Sequence, residues 1–370
     1  MKHKLLALVC ALALALSLAG CTLSTPDSVG TLGDIEISSG LYLLAQYDAY
    51  QQAAQLAGED QDSTDVKSFL KQTVTPDGET GETVLVSDYV ADKTLESLQY
   101  YAAVEARFEE LGGELTDEQA ALADSYAQQL MDQYGDTYTA NGIGLETLKR
   151  YERILYKSSL LLELVYDREG EAAVSDAELT DHLENNMYMM GYAIIPLYNT
   201  STFAFADEEQ VAQMLEMARD LAEAFNGAPE RQGTAREQLD FFSTLADAAL
   251  PSIYEILDAD YDEDQDGIQT NLMSSSTLDS AFTEAGAADA LRGLRCGEAA
   301  AIQYTSYAIL VGVRLEPLEI TSLSEVRDDV LSDLKSEELS DSLRAYGAQL
   351  ADGLDRSAMK KLAASKITVN

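Results

Sequence analysis

The chain has 370 residues with 65 acidic and 24 basic side chains, a formal net charge of −41, three cysteines and two histidines. A balance this acidic excludes nucleic acid as a partner, because phosphate binding needs a basic face, and it repels anionic lipid headgroups. The length exceeds what one hydrophobic core usually organises, so two domains are expected.

Residues 1–20 read as an export signal, with Lys2, His3 and Lys4 as a basic start and an apolar stretch over 5–18, shorter than the ~20 residues of a membrane span. The stretch ends in Leu18-Ala19-Gly20-Cys21, which resembles the lipobox of bacterial lipoproteins. That resemblance implies that Cys21 is diacylated and becomes the mature N-terminus, placing the protein on the outer face of the cytoplasmic membrane. Each buried methylene of the acyl chains contributes about 0.8 kcal/mol of anchoring. The alternative is an ordinary signal peptide that happens to end near a cysteine. Residues 21–28 form a linker.

Cys10 leaves with the signal and Cys21 is acylated, so Cys296 is the remaining thiol and no internal disulfide can form. It lies in LRCGEA among small and apolar residues with no histidine nearby in sequence, and reads as a buried structural cysteine before it reads as a nucleophile. Without Lys2 and Lys4 of the leader, 22 basic residues face 65 acidic ones, a net charge of −43. Such a surface attracts cationic unfolded chains in a salt-dependent way, or serves solubility alone.

The mature chain opens with VGTLGDIEIS, a small hairpin turning at Gly33-Asp34, followed by a helix from Ser39 that stops at Gly58. Residues 59–90 are rich in Gly, Asp, Thr and Ser and read as irregular, with one short helix over 66–72. Three amphipathic helices follow. The first carries Leu95, Leu98, Tyr101, Val104 and Phe108 and ends at Gly112-Gly113; the second opens with the capping box Thr116–Gln119 and stops at Gly135; the third spans 145–166 with Leu148, Tyr151, Leu155, Leu162 and Val165 inward. A second capping box, Ser175–Glu178, starts a short helix that holds His182, read as a surface residue.

The pattern then changes. MYMMGYAIIPLY reads as a buried strand, two helices follow around Met214 and Phe242, and after an acidic loop and a short helix near 278–285 comes QYTSYAILVGV, read as a second buried strand over 303–313. Strand, helix, helix, strand make a small α/β domain. A long helix with Val326, Val330, Leu334 and Leu343, a last short helix and strand-like KITVN close the chain. In DADYDEDQDGIQT, Asp262, Asp264 and Asp266 with Gly267 fit the first half of a calcium loop, but Met273 stands where the bidentate glutamate belongs, so a solvated acidic loop is the competing reading.

This order resembles the extracytoplasmic foldases of the parvulin class, the PrsA- and SurA-like chaperones. The resemblance rests on VGTLGDIEIS, on GIGLETLKRYERILYKSSLL, on VSDAELTDHLENN and on FTEAGAADALRGLRCGEAAAIQYTSYAILVGV. It implies an α+β fold: a mostly helical N/C-terminal chaperone domain over 29–186 and 317–370, with a small parvulin-like domain inserted at 187–316. Parvulins carry one histidine in their first strand and one in their last, and these match Ala193 and Ala308. The loop position matches Asn271, and the apolar pocket wall matches Leu278 and Phe282. The resemblance thus implies a degenerate pocket, weak or absent prolyl isomerisation, no cofactor, and unfolded exported polypeptides as partners in a crevice. An active peptidyl-prolyl isomerase and a solute-binding lipoprotein of an importer are the rivals; the latter wants repeated βα units and two similar lobes.

Overall fold

In the computed structural model the described residues are 26–58, 65–76, 78 and 80–369. The export signal expected over 1–20 and the expected lipidation site Cys21 lie outside them. The fold is α+β, and the chain divides into two compact units: residues up to Val165 together with those from Glu337 onward, and Tyr166–Ser336.

The first unit opens with strands β1 (Ser28–Leu32) and β2 (Ile35–Ser38), joined through Gly33 at φ 57°, where a side chain would be strained. Helix α1 (Ser39–Ala57) starts where the Ser38 hydroxyl accepts the Leu41 amide and ends at Gly58 in the left-handed region. A single helical turn at Val66–Phe69 and a two-stranded pairing of β3 (Thr73–Val74) with β4 (Val84–Leu85) organise the segment expected to be irregular. Helix α2 (Val86–Glu110) begins directly after β4, inside that expected segment.

Helix α3 (Asp117–Ala140) has both bonds of its capping box, but it runs past Gly135 with only a kink at Tyr134. Gly lowers helix propensity by about 1 kcal/mol and does not by itself end a helix. Helix α4 (Leu145–Tyr166) turns Leu148, Ile154 and Leu161 inward, whereas Leu155, expected in the core, is exposed.

The second unit begins with α5 (Asp176–Asn186), where Ser175 accepts the Glu178 amide and the return bond of the expected box is not made. Strand β5 (Tyr188–Pro196), helices α6 (Glu208–Gly227) and α7 (Ala235–Glu255), strand β6 (Gln269–Met273), short helices α8 (Ser275–Ala281) and α9 (Ala287–Arg292), and strands β7 (Glu298–Thr305) and β8 (Ala308–Leu315) follow. The sheet is antiparallel in the order β6-β5-β8-β7. The stretch 303–313 is therefore not one strand: it is the end of β7, a turn, and β8. Strand β6 follows directly on the acidic loop and was not expected.

One sheet face packs on α6 and α7 through Ala193, Ile195, Val311, Val313, Phe225 and Phe242, the last two rings meeting edge to face at 5.4 Å. The other face holds Tyr188, Met190, Tyr192, Ile302 and Leu310 under Leu278, Phe282 and Leu291.

Helix α10 (Leu323–Gln349) returns the chain to the first unit, where β9 (Asp352–Leu354) adds to β1 and makes the order β2-β1-β9. Helix α11 (Arg356–Lys361) follows. The KITVN end is not a strand: Ala364–Lys366 form a 3-10 turn, and Ile367 and Val369 pack beside Tyr50 and Phe69. Asn141 holds this end by exchanging two hydrogen bonds with the Thr368 backbone.

Candidate functional site

Strand β5 pairs with β8 so that Ala193 lies opposite Val311, Ile194 opposite Leu310 and Pro196 opposite Ala308. Alternate residues of a strand point to opposite faces. Ala193 shares the face of Ile195 and Val311, beneath α6 and α7, and is 1% exposed. Ala308 shares the face of Leu310, on the opposite side of the sheet. The two alanines matched to a histidine pair therefore do not meet. On the Ala308 side the diagonal neighbour from β5 is Ile194.

The three other matched residues do gather on that side. Asn271 pairs with Met190 and is exposed, Leu278 is fully buried, and the Phe282 ring lies tilted against Tyr304 with centroids 5.0 Å apart. Leu278 and Phe282 are core, not an open pocket wall, because α8 and α9 press them onto the sheet. Arg314 closes one end of this face, its guanidinium 4.7 Å from the Tyr188 ring centroid while it donates to the Leu294 carbonyl.

The opposite end is open. Tyr192, Tyr198, Tyr304 and Tyr307 cluster there, and desolvation, with these neighbours adding to it, raises the Tyr304 hydroxyl above its ordinary pKa. Ile194 is 37% and Tyr307 52% exposed. The Leu197 amide donates to the Tyr307 carbonyl, tying the β7–β8 turn to the loop at 198–205, which exposes Phe203 and Phe205. This apolar surface escaped sequence reading, although the Phe-x-Phe spacing inside a polar loop was a signal for it.

Two singled-out residues stand differently from expectation. His182 is not a surface residue: its Nε2 lies 2.8 Å from Asp333, with both side chains mostly buried, because α5 packs that side of its turn inward. Cys296 is exposed, not buried, since it follows α9 in a surface turn; its thiol donates to the Leu315 carbonyl, and desolvation, then Glu316, raise its pKa against the opposing pull of Arg314.

The acidic loop does not build a calcium site. Asp262 caps a single helical turn, its carboxylate accepting from the Asp264 amide and Gln265, while Asp266 accepts the Asp262 amide. Gly267 lies at φ −70°, not in the left-handed turn that a calcium loop requires. Among the described residues no group of three or more His, Cys, Asp or Glu side chains is placed to hold a metal ion.

The first unit has two broad cavities of its own. One, of about 690 Å³, is lined by Glu105, Arg150, Arg153 and Lys157, and the other, of about 900 Å³, by Lys93, Glu96, Tyr100 and Arg344. Their charges are spoken for: Arg150 pairs with Glu105 at 2.6 Å, Arg153 with Asp124 at 2.8 Å and Lys93 with Glu96 at 2.6 Å.

No protein-family model and no curated protein matches the chain. Among solved structures it is similar to the foldase protein PrsA from Streptococcus pneumoniae str. Canada MDR_19A, at 15% identity over 77% of this chain and 97% of that one, with a TM-score of 0.37. It is similar also to the foldase protein PrsA from Lactococcus lactis, at 14% identity over 93% and 100% of the two chains and a TM-score of 0.34. PrsA from Bacillus subtilis matches at 14% identity over 79% and 93%, with a TM-score of 0.29.

Proposed function

We propose that this protein is a lipid-anchored extracytoplasmic chaperone for unfolded exported polypeptides, whose α/β unit is a parvulin-like module with little or no prolyl isomerase activity. The observation that carries the reading is the make-up of the open end of the sheet. Ile194 and Tyr307 are open to solvent there, with the half-buried Tyr304 and the buried Tyr192 and Ala308 beside them, and none is a histidine, a carboxylate or a thiol. Such a surface binds apolar segments, and the polar groups it offers an amide are tyrosine hydroxyls, not a hydrogen-bonded imidazole pair. Prolyl isomerisation must lower a barrier of ~20 kcal/mol, and losing ordered polar contacts of about 3 kcal/mol in the transition state slows it by more than a hundredfold.

An aggregation assay on an unfolded client and a proline-limited refolding assay test the two halves together. The wild type is expected to suppress aggregation and to isomerise at least about a hundredfold more slowly than a histidine-bearing parvulin. A paired Ile194→His and Ala308→His variant, which puts both imidazoles on one face, is expected to raise the rate above wild type. Wild-type isomerisation at full parvulin speed sinks the degenerate module; failure to suppress aggregation sinks the chaperone.

The anchor is a separate part of the proposal. Among the described residues no helix is long and apolar enough to cross a membrane, and the Leu-Ala-Gly-Cys ending supplies the alternative attachment. Cys21→Ser is expected to move the protein from the membrane pellet to the soluble fraction after cell fractionation, and unchanged pelleting would refute lipidation at this residue.

A further inference from the structure

The loop between β5 and α6 is held in place by its own hydrogen bonds. Ala206 donates to the Leu197 carbonyl, Asn199 to the Ala204 carbonyl, and Tyr198 bridges Phe205 with their rings 5.8 Å apart. Asn199, only 6% exposed, organises the rest: its side-chain oxygen accepts the Ser201 and Thr202 amides, and its nitrogen donates to the Leu257 and Asp258 carbonyls.

Phe203 and Asp258 are the non-glycine residues in the left-handed region among those described, at φ 56° and 50°. That region is strained for a bulky side chain. Asn199 touches both segments, since Phe203 donates its amide to the Asn199 carbonyl. The loop therefore accepts strain to hold Phe203 and Phe205 outward, each 73% exposed, while the chain entering it is tied at Leu197 to Tyr307.

The adjoining segments are rich in acidic residues and poor in basic ones. No Lys or Arg occurs between Arg168 and Arg219, or between Arg236 and Arg292. The segment at 258–266 that Asn199 seats against the loop holds six acidic residues, and Asp207, Glu208 and Glu209 follow the loop directly. Asp207 caps α6, and the Gln210 side chain ties that helix start to the Ile256 carbonyl.

We propose that this aromatic loop and its acidic rim form the docking surface for extended cationic, apolar segments of unfolded polypeptides, in which Lys or Arg alternates with aliphatic or aromatic residues. The choice of occupant follows from charge complementarity. Aromatic faces take apolar side chains and cations alike, and the carboxylates disfavour acidic segments. The inference rests on the chaperone reading for the identity of the partner, but its site stands on the loop.

The test measures binding of two short synthetic peptides, one alternating Lys with Leu and one alternating Glu with Leu, to the full-length protein. The lysine peptide is expected to bind and to weaken as salt rises, and the glutamate peptide not to bind. The paired substitution Phe203→Ser and Phe205→Ser, at exposed positions, is expected to raise the dissociation constant at least about tenfold. Asp260→Lys with Asp264→Lys, which leaves the rings in place, is expected to weaken the lysine peptide and admit the glutamate one.

Equal affinity in wild type and the phenylalanine variant overturns the proposal, as does equal binding of both peptides or no binding at all. If the phenylalanine variant also suppresses aggregation unchanged, the chaperone reading survives and the surface lies elsewhere. If the wild type binds the peptide as expected but protects no client, the surface stands and the chaperone reading falls. A wild-type dimer that the phenylalanine variant dissociates, with no peptide bound, overturns the proposal in favour of a second copy as occupant.

Discussion

Ala193→His is expected to destabilise the second unit by about 3 kcal/mol or more, and Ala308→His by less than about half as much. Ala193 is 1% exposed beneath α6 and α7, in one cluster with Ile195, Phe225, Phe242 and Val311. An imidazole there must displace close-packed side chains and bury polar nitrogens without partners. Ala308 is also buried, at 4% exposed, but it opens β8 next to the half-exposed Tyr307, with the exposed Ile194 as its diagonal neighbour, so a longer side chain at that position starts closer to solvent. Denaturation of the full-length variants followed by circular dichroism measures both. Equal stability of Ala193→His and wild type would show that Ala193 does not face the helices, and that the pair expected from the sequence could still share a pocket.

The misassignment of that pair has a specific origin. MYMMGYAIIP is apolar at almost every position and buried on both faces, so its period of two has no phase to read, and a match of Ile194-Ile195 to a parvulin strand fixes the order but not the face. The start of β7 hid for another reason. Its EAAAI segment is rich in alanine, which favours helix and gives little hydrophobic contrast, so only the more apolar part of the hairpin stood out. Strand β9 is three residues long and exists through its pairing with β1, which no local pattern announces.

Helices with strong periods and caps were legible. Helix α1 sits between Ser38 and Gly58 as read, α4 spans 145–166 as read, and the Thr116–Gln119 box starts α3. Of the candidate site, the surviving apolar residues were legible but their role was not. Leu278 and Phe282 are closed into the core, while the open surface belongs to a loop whose composition, TSTFAFADEE, reads as solvent-exposed. Hydrogen bonds from Asn199 to Leu257 and Asp258, distant in sequence, build that loop.

Asp48→Asn is expected to stabilise the first unit at pH 8 by up to about 3 kcal/mol and to change it little at pH 4. Asp48 lies on α1 next to Tyr47, its charge acts on Tyr101 of α2, Tyr138 of α3 and Tyr151 of α4, and desolvation pushes its carboxyl from 3.8 up to about 6. The Tyr101 and Tyr151 rings meet edge to face at 5.6 Å. Desolvation, then the Asp48 charge, holds the Tyr151 hydroxyl up to about 12, so the tyrosines do not titrate in the same window.

The sign follows from proton counting. Between about pH 4 and 6 the folded chain keeps a proton on Asp48 that the unfolded chain has released. The stability this proton provides is fully present below the unfolded value and is lost as pH rises through the folded one. Above that, the wild type holds a desolvated carboxylate that asparagine does not. Glu152 is also raised by desolvation and titrates in the same direction, so the informative quantity is the difference between variant and wild type at each pH. Melting temperatures compared at pH 4 and pH 8 decide the matter: a stabilisation by asparagine that does not grow with pH would mean that Asp48 stays hydrated and charged within the helical unit.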